Sequence, residues 1–117
     1  MPPAKTARIR ELNDALRTAP DAIGALILNG SLVITSGVQG RGGAFVARCL
    51  SAVRTFRDFG PGNDPWGEHD MAFMEVGGVR IFYKIDYYDR DLRYHSPDPS
   101  DPGVTRRVLT IALAEEY

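Results

Sequence analysis

Met71-Ala72-Phe73-Met74-Glu75-Val76-Gly77-Gly78-Val79-Arg80-Ile81-Phe82-Tyr83-Lys84-Ile85-Asp86 is the stretch on which the fold turns. Val79, Ile81, Tyr83 and Ile85 alternate with Arg80, Phe82, Lys84 and Asp86, the period of two that marks a strand with one face turned inward. Gly77-Gly78 separates this run from the apolar run 71–76 with the residue type that takes positive φ without steric cost, as a tight hairpin turn demands. The expectation is an antiparallel hairpin with Glu75 facing Arg80 and with 63–70 and 86–95 leaving the sheet at one rim.

Toward the N-terminus, Phe45, Val46, Cys49, Leu50, Val53 and Phe56 trace a helical stripe ending near Arg57. Ile9, Leu12 and Leu16 trace another between Lys5 and Arg17, closed by Pro20. Asn29-Gly30 between Ala25-Leu26-Ile27-Leu28 and Leu32-Val33-Ile34-Thr35 predicts a type I′ hairpin turn, because both central residues of that turn need positive φ. Residues 22–28 fit an extension of the first helix as well. Toward the C-terminus, Asp101-Pro102 reads as an N-cap with proline at the first helical position. Val104, Val108, Ile111 and Ala112 would then form the apolar face of a terminal helix. The sum is a single α+β domain over 1–117: a small antiparallel sheet of three to four strands packed with about three helices in two layers.

Composition narrows the class. Of 117 residues, 44% are hydrophobic and 25% charged, the balance of a folded domain rather than a disordered chain. The longest apolar stretch, Ala22–Leu28, falls far short of the roughly 18 residues that span a bilayer, so no membrane is expected. The start lacks the apolar core of a secretory signal and Cys49 has no disulfide partner, which together point to the cytoplasm. Cys49 reads as a small buried hydrophobe rather than a nucleophile, for want of a basic helper.

The net charge of −1 conceals an asymmetry. Residues 1–57 carry eight basic and three acidic groups, whereas residues 58–101 carry ten acidic and four basic ones. The basic half has no dense stripe and the pI is about 6.1, so direct nucleic-acid binding is disfavoured. An acidic surface meeting a protein partner with a basic surface fits better. The glycine cluster Gly37-Val38-Gln39-Gly40-Arg41-Gly42-Gly43 fails both phosphate-binding patterns: no Lys-Ser/Thr pair follows it, and Phe45 stands where a dinucleotide fingerprint needs glycine. It reads as a flexible connection, and no cofactor is implied.

Chemistry concentrates in Asn63-Asp64-Pro65-Trp66-Gly67-Glu68-His69-Asp70 and Lys84-Ile85-Asp86-Tyr87-Tyr88-Asp89-Arg90-Asp91-Leu92-Arg93-Tyr94-His95. His69, Asp70, Asp86 and Asp89 are the candidates for general acid–base work or for holding a divalent ion in a hydrolase or nuclease. No metal-ligand spacing is recognisable, since Glu68 and Asp70 on a strand point away from His69. Trp66, Glu68, His69, Tyr87, Tyr88, Asp89, Asp91 and Tyr94 are the candidates for a recognition surface, where aromatic side chains amid charge are at home. The same residues also suit the locking of loops by turns and ion pairs.

These motifs, with Ser96-Pro97-Asp98-Pro99, Thr105-Arg106-Arg107-Val108-Leu109-Thr110 and Arg8-Ile9-Arg10-Glu11-Leu12-Asn13-Asp14, resemble a family of small bacterial proteins catalogued as a domain of unknown function. The chain departs from that pattern where Met71-Ala72 follow the His-Asp pair in place of Phe-Gly, and in a longer segment 19–30. Such proteins are similar to the accessory cargo of plasmids and phages. The resemblance brings no activity with it; the acidic, aromatic loops lead to the expectation of a non-enzymatic interaction protein, and the mobile-element context gives that its concrete form, an inhibitor of a bacterial defence nuclease of the anti-CRISPR or antirestriction kind.

Overall fold

The structure, a computed structural model, describes residues 3–19 and 29–117. Among these, helix α1 (Pro3–Arg17) is followed by strand β1 (Gly30–Ile34), a one-turn helix α2 (Ser36–Gln39) and helix α3 (Gly43–Thr55). Strands β2 (Met71–Val76), β3 (Val79–Tyr88) and β4 (Arg106–Leu113) come next, with a 3₁₀ turn at Ala114–Glu116. The described strands form one mixed sheet in the order β1-β4-β3-β2, antiparallel except where β1 runs parallel to β4. It is an α+β fold.

The hairpin forms as its sequence dictates. Gly77 and Gly78 sit at φ 57° and 79°, and Glu75 pairs with Arg80. Ile81, Tyr83 and Ile85 are buried together with Leu109 and Ile111 of β4, Leu16 of α1, and Cys49 and Val53 of α3. Burial of Cys49 raises its thiol pKa. The opposite face of β3 carries Phe82, Lys84 and Asp86, with Phe82 covered by Phe73 and Tyr117.

Three expectations are corrected. Residues 106–113 form β4 rather than a terminal helix, and Asp101 caps a turn by accepting from the Gly103 N–H at 2.8 Å. Val104, Val108 and Ile111 do recur at helical spacing, but Arg107, Leu109 and Ile111 recur at strand spacing, and all three are buried. The β-branched Val108, Thr110 and Ile111 favour the pleat, and the slot between β1 and β3 pairs both edges of the chain.

The type I′ turn is not adopted at Asn29-Gly30. Asn29 has φ 58°, but Gly30 has none of the positive φ the turn requires and instead begins β1 opposite Arg107. The Asn29 amide donates to the carbonyls of Pro102 and Thr105 at 3.3 and 3.2 Å. The proposed first arm, 25–28, lies outside the described residues. Thirdly, the glycine cluster is not simply a flexible link. Thr35 caps α2 by accepting from Val38 N–H and donates to Glu116 Oε1 at 2.8 Å. Gly37 permits this approach: a Cβ there would lie 2.7 Å from the same carboxylate oxygen.

Candidate functional site

One face of α1 explains how the loop 56–70 is held. Arg10, Asn13, Asp14 and Arg17 recur at helical spacing beside the apolar Ile9 and Leu16, so a polar row accompanies the buried stripe. Arg10 Nε donates to the Gly67 carbonyl at 2.7 Å. Asn13 is fully buried; its amide donates to the Glu68 carbonyl at 3.0 Å and to Tyr87 Oη at 2.8 Å, and its carbonyl accepts from Arg107 Nε at 2.8 Å. Tyr87 in turn donates to Glu68 Oε1 at 2.8 Å. Arg107 also donates to the Pro99 carbonyl and lies over the Tyr87 ring. Burial raises the pKa of Tyr87, and that of Tyr83, above the ordinary phenol value and lowers that of Arg107.

His69 is the centre of a second set of bonds. Its Nδ1 lies 3.0 Å from both oxygens of Asp14. A carboxylate only accepts, so Nδ1 carries the proton of this contact. Nε2 faces the buried Asp64 carboxylate at 3.6 Å. The ring stacks on Phe59 with centroids 3.7 Å apart, and Phe59 lies under the Arg17 guanidinium, itself bonded to Asp14 and to the Val53 carbonyl. The His69 backbone is pinned too: its N–H donates to Asp64 Oδ1 and its carbonyl accepts from Tyr83 at 2.7 Å. These contacts hold a left-handed φ of 55°, which costs a non-glycine residue free energy and turns the chain off the sheet.

The sequence candidates therefore separate into three groups. His69, Glu68 and Tyr87 join Asp14, Asn13 and Arg107, which sequence reasoning missed; the signal for Asn13 and Asp14 was a polar row running beside an apolar helical stripe, and Arg107 on β4 gave none. Asp70 and Asp86 lie with Tyr88 and His95 around an open cleft of about 320 Å³. Burial raises the pKa of Asp70, with Glu68, Asp64 and Asp86 adding to the effect. The third group, Asp89, Asp91 and Tyr94, occupies the turn after β3, where Asp89 Oδ1 accepts from the Arg93 N–H at 2.9 Å. Residues 94–96 then fold back along β3. The two segments do share one end of the sheet, but the ring-nitrogen contacts of His69 go to Asp14 and Asp64, not to Asp70, Asp86 or Asp89.

Trp66 and Tyr94 stand out of this end, 78% and 74% exposed, with Leu92 at 49%. Around them residues 58–70 and 86–101 carry nine carboxylates against two arginines. Among the described residues no three His, Cys, Asp or Glu side chains converge closely enough to hold a metal ion. None of the described helices is long and apolar enough to cross a membrane.

Residues 34–116 match the family described as "Protein of unknown function (DUF3768)". The chain belongs to this family. The matched span takes in α2, α3, β2, β3, β4 and both loops of the acidic end, while α1 precedes it. No curated protein and no solved structure matches the chain.

Proposed function

We propose that this DUF3768 protein is a non-enzymatic interaction protein whose acidic, aromatic end docks on a basic protein surface. One observation carries the reading: Trp66 and Tyr94 are held in solvent on hydrogen-bonded loops, the first tied to α1 by the part-buried bonds of Arg10 and Asn13 and the second closed by the Asp89 turn. Exposing an indole forgoes the stabilisation its burial would give, and rigid aromatic side chains are the usual anchors of interfaces. The surrounding carboxylates supply long-range attraction to a cationic partner. The concrete partner is a defence nuclease whose nucleic-acid groove is basic, so that the acidic end competes with phosphate for it. This is an inhibitor of the anti-CRISPR or antirestriction type. The alternative, a metal-dependent hydrolase or nuclease using His69 and nearby carboxylates, has less support, because Asp70, Asp86 and Asp89 do not contact the His69 ring, whose nitrogens face Asp14 and Asp64.

The test is capture of the partner from the native host, followed by binding kinetics. Association should slow as salt rises through 0.1 M, where charges are screened beyond about 10 Å. Asp89→Lys with Asp91→Lys should reduce the on-rate, and Trp66→Ala should speed dissociation, costing about 2 kcal/mol or more of binding. Folded charge-reversal variants that bind the captured partner as well as wild type at low salt would refute the acidic-surface reading.

A further inference from the structure

Strand β2 is the outer strand of the described sheet, and its free edge meets the acidic end above only at Asp70. The Ile85 N–H donates to the Asp70 carbonyl, and in an antiparallel ladder the residues that bond across alternate with those that do not. Ala72, Met74 and Val76 therefore face β3, and the N–H and C=O groups of Met71, Phe73 and Glu75 point away from the sheet. No described residue bonds to them. Natural edges are blunted by proline, lysine or a bulge, whereas Met71–Val76 is a regular strand with a single charge, Glu75.

We infer that this edge joins two copies of the chain, β2 antiparallel to β2 about a two-fold axis at Phe73. In that register Met71 faces Glu75 of the partner subunit and Phe73 faces Phe73 of the partner subunit. All three outward-pointing residues fall in hydrogen-bonded pairs, and two sheets become one. A two-fold interface must be complementary to itself, and an antiparallel strand pair is.

Charge complementarity supports a second copy as the occupant and this register in particular. Arg48 of α3 lies over the hairpin turn, its Nη1 3.0 Å from where a Cβ on Gly77 would sit, in a groove shared with Glu75 and Val76. Asp70 stands at the other end of the same edge. Among the described residues neither makes an ion pair. Pairing about Phe73 sets Val76 opposite Asp70 of the partner subunit, so each Arg48 meets the carboxylate the other copy leaves unpaired. The symmetry makes this contact twice. Phe73, already packed on Phe82 and Tyr117 with centroids 5.2 and 5.7 Å away, then meets its own copy across the axis.

Sedimentation velocity over a concentration series tests this. The expected result is a reversible monomer–dimer equilibrium, and a chain that stays monomeric up to about 1 mM, the weak limit of useful association, overturns the proposal. Glu75→Pro removes an outward N–H that the ladder with β3 does not use, and should weaken the dimer at least tenfold while circular dichroism stays native. Undiminished dimerisation of that variant overturns the proposal. Arg48→Asp should weaken the dimer and Arg48→Asp combined with Asp70→Arg should restore it. Failure of the exchange to restore it overturns the register even if the proline variant does not fold.

Discussion

Replacing Asn13 by leucine removes a side chain that ties α1, the loop 56–70, β3 and β4 together. Leucine keeps the branched shape of asparagine with bulkier methyl ends, so the site stays filled and the hydrogen bonds are lost, with some overpacking added to their loss. The bond from Arg107 Nε joins a charged donor to a buried acceptor, worth about 1.5–3 kcal/mol, and the bonds to Tyr87 Oη and the Glu68 carbonyl are worth about 1 kcal/mol each. Arg107 is 3% exposed, so water does not replace the lost acceptor. The expected cost is about 3.5–5 kcal/mol, which for a domain of this size lowers Tm by about 14–20 °C. Urea unfolding followed by circular dichroism measures it. The reasoning further requires strong coupling: Asn13→Leu with Arg107→Leu should cost far less than the two single changes summed, because no orphaned charge remains. A loss below about 1 kcal/mol for Asn13→Leu, or strict additivity in the double variant, would refute it.

Four further outcomes follow from the same structure. Tyr83 and Tyr87 have raised folded pKa values, so the folded state holds their protons more tightly; stability should be intact below about pH 10, the ordinary phenol value, and fall as pH rises past it, with phenolate absorbance showing these rings resisting ionisation until unfolding. Asp70 also has a raised folded pKa, so its charge opposes folding above the ordinary carboxyl range; Asp70→Asn should raise Tm at neutral pH in dilute, monomeric protein, and the gain should vanish once acid protonates the wild-type carboxyl. His69→Ala should leave the sheet folded but speed amide exchange across 59–70, and unchanged exchange there would contradict the locking role of His69. Cys49, buried with a raised thiol pKa, should react with a disulfide reagent only at the rate of unfolding.

The hairpin 71–88 and the two longer helices were legible in the sequence, because period two, period 3.6 and a Gly-Gly turn are local consequences of backbone geometry. Clustering of 63–70 with 86–95 at one rim followed from that hairpin alone. What lay beyond local pattern was decided by pairing. Residues 104–113 carry apolar spacing compatible with both helix and strand, and the empty slot between β1 and β3, with hydrogen-bonding partners on each side, selects the strand. Asn13, Asp14 and Arg17 looked like ordinary polar residues of a surface helix. Only the packing of α1 against the loop 56–70 and β3 buries Asn13 and Arg17 and half-buries Asp14 among groups needing partners, and the same contact ties down His69. A chain pattern records which side chains share a face; it does not record what that face will meet, and for this protein that decided which of its polar residues hold the loops and which remain in solvent.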